Sequence, residues 1–193
     1  MKITPATQSA VNTATLALLL LLPLQAAKQT TRFFSQPGSK VLIKGNNNLH
    51  EWEIQGDVID GLVEFGVDFP IATGQNVKLG KMPAQMEGFI PIRSLHHPGR
   101  ITSIEKVVQY ALNEPTNPRI LFRFSELVLK TLPKSKDDPY FFDSRCELVV
   151  AGVTNQISMP IGVLPIDNRQ LKITGNTSIK MTDWGIKPPE AQD

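Results

Sequence analysis

The 193-residue sequence is poor in the side chains from which most reactive centres are built: one cysteine, three histidines, two tryptophans and two tyrosines. A single cysteine, Cys146, excludes a disulfide within the chain, and its place among alternating apolar residues marks it as a small buried hydrophobe rather than a reactive thiol. His96 and His97 are adjacent, so in an extended chain they point to opposite faces, and no cysteine or further histidine clusters with them. No metal site is assigned. Lysines and arginines number 20 against 18 acidic residues and are scattered, without the clustered cation that nucleic acid requires. Ser103-Ile-Glu-Lys106 has the spacing of a Ser-x-x-Lys nucleophile, but the Ser-Asp-Asn and Lys-Thr-Gly partners of that chemistry are absent. The sequence therefore offers no catalytic residues, no cofactor motif and no reading as an enzyme.

The N-terminus carries more information. Lys2 precedes a polar stretch, an apolar core from Leu16 to Leu22 and then Pro23-Leu24-Gln25-Ala26-Ala27. A charged start, a short apolar core and small residues at its end have the pattern of a secretory signal. The core is shorter than the ~20 apolar residues that span a bilayer. Residues 1–27 are read as a signal peptide cleaved near Ala26 or Ala27, which places residues 28–193 in the periplasm or outside the cell with no membrane span. An uncleaved anchor is the rival reading. No cysteine follows the apolar core, so the residue needed for N-terminal lipidation is missing.

With 41% hydrophobic and 20% charged residues, the remaining chain suits one globular domain with a sizeable core. Alternation dominates it. Cys146, Leu148 and Val150 share one face; after Gly152, Ile157, Met159, Ile161 and Val163 share another; after Asp167-Asn168, Leu171, Ile173, Thr177, Ile179 and Met181 continue the pattern. A period of two with short polar breaks predicts antiparallel strands joined as a meander. Further strands are predicted around Val41 and Ile43, around His50, Trp52 and Ile54, from Ile59 through Val63, Phe65, Val67 and Phe69, at Ile90 and Ile92, and from Arg119 to Lys130. In the last, Ile120, Phe122 and Phe124 hand over to Leu127 and Leu129 on the opposite parity, which predicts a bulge near Ser125-Glu126. Lys28 to Ser39 reads as a strap. Ile101, Ile104, Val108, Ala111 and Leu112 lie at helical spacing, and Thr102 with Glu105 has the spacing of a capping box. The predicted fold is mainly β: an antiparallel barrel of about eight strands with one amphipathic helix across an end or flank.

Particular residues resemble a family. Leu148, Val150, Gly152, Val153, Thr154, Ile157, Met159, Pro160 and Ile161 fit a segment that YceI-like proteins write roughly as L-x-(I/V)-x-G-V-T-x-x-(V/I)-x-(L/M)-P-(V/I). Pro118 to Phe122 resembles the family's Pro-x-Ile-x-Phe strand, and Asp183-Trp184-Gly185-Ile186 its Asp-(Phe/Trp)-Gly-Ile ending. Asn48-Leu49-His50-Glu51-Trp52 departs from the family's His-rich, Gly-Phe-Ser opening. The family also has a further strand after the Gly-Ile segment, so the edge beside Arg169 to Met181 is expected to stay open or to be covered by the N-terminal strap.

The inward apolar residues Ile90, Ile92, Phe122, Phe124, Leu148, Ile157, Met159, Ile161, Ile173 and Ile179 either fill a dry core or line a tunnel, because both arrangements bury one face. The resemblance implies the tunnel: a lipocalin-like carrier of a polyisoprenoid or other long apolar lipid, with Trp52 and Phe65 added to the lining. A homodimer is admitted. The alternative is an exported barrel with a filled core that binds a protein or serves structurally.

Overall fold

Alternating burial along the strands shows which face each one turns inward. The computed structural model describes residues 30–46, 51–72, 74–167 and 169–187. The predicted signal segment and His50 lie outside the described residues. Among the described residues eleven strands run in chain order: β1 (Thr30–Phe34), β2 (Val41–Asn46), β3 (Glu51–Gly56), β4 (Asp60–Gly66), β5 (Gly80–Lys81), β6 (Ala84–Pro91), β7 (Leu95–His96), β8 (Arg119–Thr131), β9 (Tyr140–Val150), β10 (Val153–Asp167) and β11 (Gln170–Gly175). One helix, α1 (Thr102–Ala111), stands between β7 and β8. It is not long and apolar enough to cross a membrane, and neither is any other described helix.

All pairings are antiparallel. An eight-stranded sheet runs β1-β4-β6-β8-β9-β10-β11, with β5 on β8, and a three-stranded sheet runs β2-β3-β7. The large sheet curls, since Phe33 of β1 and Leu171 and Ile173 of β11 pack on the same buried cluster. It does not close by pairing among the described residues: β1 lies on β4, leaving β11 as the other edge. The segment read as a strap is thus in part a strand, and it covers the far edge of the sheet rather than the edge beside Arg169 to Met181.

The meander forms where alternation predicts it. β9 turns into β10 through Ala151 and Gly152, with φ of 50° and 84° between the paired residues Val150 and Val153. Two successive positive φ values make the tight turn whose twist matches a hairpin. The β8 bulge is also present, as the register with β9 shifts between Phe124 and Glu126. It keeps Phe124, Leu127 and Leu129 on one side, which is why the parity in the sequence changes while the face does not.

Three expectations need correction. Val67 is 61% exposed, because β4 ends at Gly66 and the chain turns before Phe69 re-enters the core. Ile92 lies in a short 3₁₀ turn (Ile92–Ser94) rather than a strand, although it is fully buried. The capping box does not form. The helix begins after Ile101 with no side-chain cap, and Glu105 instead accepts a hydrogen bond from the His97 backbone N–H at 3.1 Å. A carboxylate in the first turn still meets the positive end of the helix dipole, and here it also fixes the preceding loop.

Candidate functional site

The inward face of the structure divides into two buried clusters. The first contains Val63, Phe65, Phe69, Leu127, Leu129, Tyr140, Phe142, Ile161 and Val163. Its centre is an aromatic stack: the Phe65 and Phe69 rings are 3.5 Å apart between centroids, and Phe69 and Phe142 are 5.3 Å apart. The second contains Ile54, Ile90, Ile92, Leu95, Leu112, Ile120, Val150, Trp184 and Ile186, under α1 and the small sheet.

Three neighbouring strands cross from one cluster toward the other. β8 passes from Ile120 in the second cluster through Phe122 and Phe124 to Leu127 in the first. β9 passes from Val150 through Leu148, Cys146 and Ser144 to Phe142. β10 passes from Ile157 through Met159 to Ile161. Phe122, Phe124, Leu148, Ile157 and Met159 are only half-buried, whereas the cluster residues at the ends are closed to solvent. In the middle β9 contributes the small side chains Ser144 and Cys146, 3% and 2% exposed.

These two groups form a polar knot in an apolar row. Ser144 Oγ donates to the Met159 carbonyl oxygen at 2.6 Å and lies 3.3 Å from Cys146 Sγ. Burial pushes the Cys146 thiol up in pKa, opposed in smaller part by its contact with Ser144. A thiol held protonated is a poor nucleophile.

Of the twelve residues assigned to ligand contact, Phe65, Ile90, Ile92 and Ile161 are buried within the two clusters, and Trp52, Phe122, Phe124, Leu148, Ile157, Met159 and Ile173 are half-buried against them. Ile179 is the exception. β11 ends at Gly175, and Ile179 is 46% exposed on the segment that follows. Alternation continues past Gly175 in the sequence, but pairing does not.

The other residues singled out in the sequence lie away from this row. His96 Nδ1 faces the Ser94 carbonyl at 3.2 Å and its Nε2 is 3.7 Å from Asp57, while His97 Nδ1 accepts the Gly99 N–H at 3.0 Å. Ser103 and Lys106 are exposed on α1, and Asn176, which begins an Asn-Thr-Ser sequon, is exposed after β11.

Two surface concavities accompany the interior. One, of about 290 Å³, lies on the outer face over Gly61 and Gly88 and is lined by Phe34, Leu62, Phe89 and Leu121 with Asp60, Glu87 and Arg123. Sequence reasoning missed it because it is made by register. The glycines pair across β4 and β6, and a Cβ on Gly88 would stand 2.6 Å from the Phe122 ring that covers it on the inner side. The other, of about 380 Å³, lies between β10 and the segment 177–184.

No family model matches the chain. No curated protein matches it in sequence. Among solved structures it is similar to the crystal structure of Burkholderia cenocepacia BcnA, with a TM-score of 0.56 over 78% of this chain and 82% of that one. At 13% identity this likeness establishes the fold alone.

Proposed function

We propose that the protein is an exported, non-enzymatic carrier that holds a polyisoprenoid or similar long apolar lipid inside its curled sheet. The observation that carries this reading is the middle row. Phe122, Phe124, Leu148, Ile157 and Met159 face inward from three adjacent strands and remain partly accessible, while both ends are closed. Interiors normally pack to crystal-like density, so accessible apolar side chains at the centre favour a space that something else fills. Met159 suits that role, since a flexible thioether adapts to a flexible chain. The YceI-like segment in β9 and β10 supports a lipid as the occupant. Export rests on Lys2, the Leu16 to Leu22 core and Ala26-Ala27.

The aromatic stack of Phe65, Phe69 and Phe142 favours a second reading for that end of the molecule, as a filled core with no ligand. Native mass spectrometry of protein gently isolated from its own source separates the two. A bound lipid mass that disappears on solvent extraction is expected, on a chain beginning near Ala27 or Lys28. A mass equal to the bare polypeptide, unchanged by extraction, overturns the carrier.

A further inference from the structure

The wall of the curled sheet has a break beside β10. β11 pairs with β10 only from Asp167 with Gln170 to Ile161 with Gly175, with one register shift between Pro165 and Asp167. β10 runs on to Val153, paired on one side with β9, but on the other side the chain from Asn176 to Lys180 forms no ladder. Two residues account for the separation. Pro160, next after the last paired residue, has no N–H with which to continue it. Met159 leans over Gly175, where even a Cβ would stand 3.0 Å from the Met159 sulfur.

Beyond that point, two side-chain hydrogen bonds clasp the segment 176–184 to β10. Thr177 Oγ1 donates to the Ser158 carbonyl at 3.2 Å, and Asn155 Nδ2 donates to the Asp183 carbonyl at 2.8 Å. The 380 Å³ concavity lies between them. It is lined by polar Gln156, Ser158 and Lys180 and also by Ile157 and Trp184, which belong to the interior. Trp184 is 3% exposed, and its indole donates to the Leu148 carbonyl at 3.2 Å. Both ends of the interior are shut, one by the aromatic stack and the other by Ile54, Ile92 and Leu95 at 0–2% exposure. A chain lodged in the middle row has its most direct route at this side.

We propose that the break is a lateral port. The segment 176–184 moves outward when Thr177 and Asn155 release β10, a linear apolar chain slides past Ile157 and Trp184 to the middle row, and its polar end stays at the rim. The rim offers an amide, a hydroxyl and an ammonium, from Asn155, Thr177 and Lys180. It therefore suits a single-chain lipid that ends in a hydrogen-bond acceptor such as a hydroxyl or an acidic group. The port rests on the carrier reading.

The test uses the full chain, delipidated, carrying Trp52→Phe so that Trp184 is the sole tryptophan. Dibromostearate is the probe, because bromine quenches an indole that it touches. Stopped-flow quenching gives the uptake rate, and equilibrium dialysis gives total binding. The Ser158→Cys and Thr177→Cys pair, oxidised, is expected to slow uptake by about tenfold or more, as the segment can then move only by local unfolding. Reduction of the same sample should restore the rate, which excludes misfolding as the cause. Asn155→Ala with Thr177→Val, which removes both clasps and with them two of the rim groups that meet the polar end, is expected to accelerate uptake by about tenfold while total binding falls by about tenfold. Uptake by the cross-linked protein at the uncross-linked rate overturns the port. So does probe that binds by dialysis without quenching Trp184. A protein that binds no probe by either measurement, and carries no lipid from its source, overturns the carrier reading and the port with it.

Discussion

The Ser144 hydroxyl donates to the Met159 carbonyl oxygen at 2.6 Å, tying β9 to β10 between the two buried clusters. Ser144 is 3% exposed, so no water replaces this donor if it is lost. Ser144→Ala should lower stability by about 1 kcal/mol, the usual net worth of a hydrogen bond, and Ser144→Val by more because it adds bulk. Urea unfolding with unchanged slope checks the first; an unaltered midpoint for Ser144→Ala would show that the carbonyl finds another donor.

Enlarging an inward residue should cost different amounts at the end and in the middle of the interior. Ile161 is 2% exposed at the aromatic end, whereas Ile157 is half-buried beside the lateral break. Ile161→Phe should cost about 1–3 kcal/mol by overpacking, with or without lipid. Ile157→Phe should cost less than about 1 kcal/mol and reduce the lipid retained after purification. Thermal unfolding before and after delipidation, with extraction of the bound lipid, gives both quantities. Equal destabilisation at the two positions would mark the middle as filled.

The Cys146 thiol titrates above its ordinary value of 9.0 because burial penalises the thiolate. The folded chain keeps a proton that the unfolded chain gives up. Its contribution is therefore complete below the unfolded value and is lost as pH rises through the folded one. Tyr140, raised from 10.0 by burial, acts in the same direction at higher pH. Urea midpoints should fall as pH rises above 9.0, and Cys146→Ala should flatten the first part of that fall. Reaction of the thiol with an aromatic disulfide reagent should be limited by opening of the structure rather than by pH.

Arg93 Nε donates to Glu114 Oε1 at 2.5 Å, joining the 3₁₀ turn after β6 to the turn that follows α1. Glu114 is 8% exposed, and Arg93 lies mostly in solvent. Arg93→Ala leaves a carboxylate poorly solvated and should cost about 1–3 kcal/mol. Adding Glu114→Gln removes the stranded charge and should recover part of that loss, as a double-mutant cycle would read.

Ala151 holds a positive φ of 50° at the β9–β10 turn, where an alanine is strained. Ala151→Asn should stabilise the protein by about 1 kcal/mol, since Asn-Gly is the preferred pair for this turn. Gly152→Ala should do the reverse, because φ is 84° and the new Cβ would stand 2.9 Å from Asn117 Oδ1. Melting temperatures of the two variants should move in opposite directions.

Where one face of a strand is buried, the chain states its structure in local pattern. Cys146, Leu148 and Val150 inward, the turn at Gly152, and Ile157, Met159 and Ile161 inward again all follow from a period of two, because a slip of one residue would expose the whole apolar set. The β8 bulge was legible for the same reason: a parity change inside an apolar run has few other physical solutions. The helix was legible from its spacing. Its cap was not, since Glu105 chooses between the helix N-terminus and the His97 amide, and only the folded loop brings that amide within reach.

What the sequence by itself determined is thus the place of most strands along the chain, the inward face of most of them and the identity of most residues in the interior, whereas the pairing of β1 with β4 and the separate sheet β2-β3-β7 came from the fold. Tertiary structure alone decided how that interior is divided. Whether Phe65 joins a closed stack while Phe122 stays half-open depends on which rings meet across β4, β8 and β9, and Ile179 left the wall because Pro160 and Met159 prevent β11 from continuing. Alternation records which side of a strand avoids water. It carries no information on what stands opposite, because packing is settled between residues far apart in the chain.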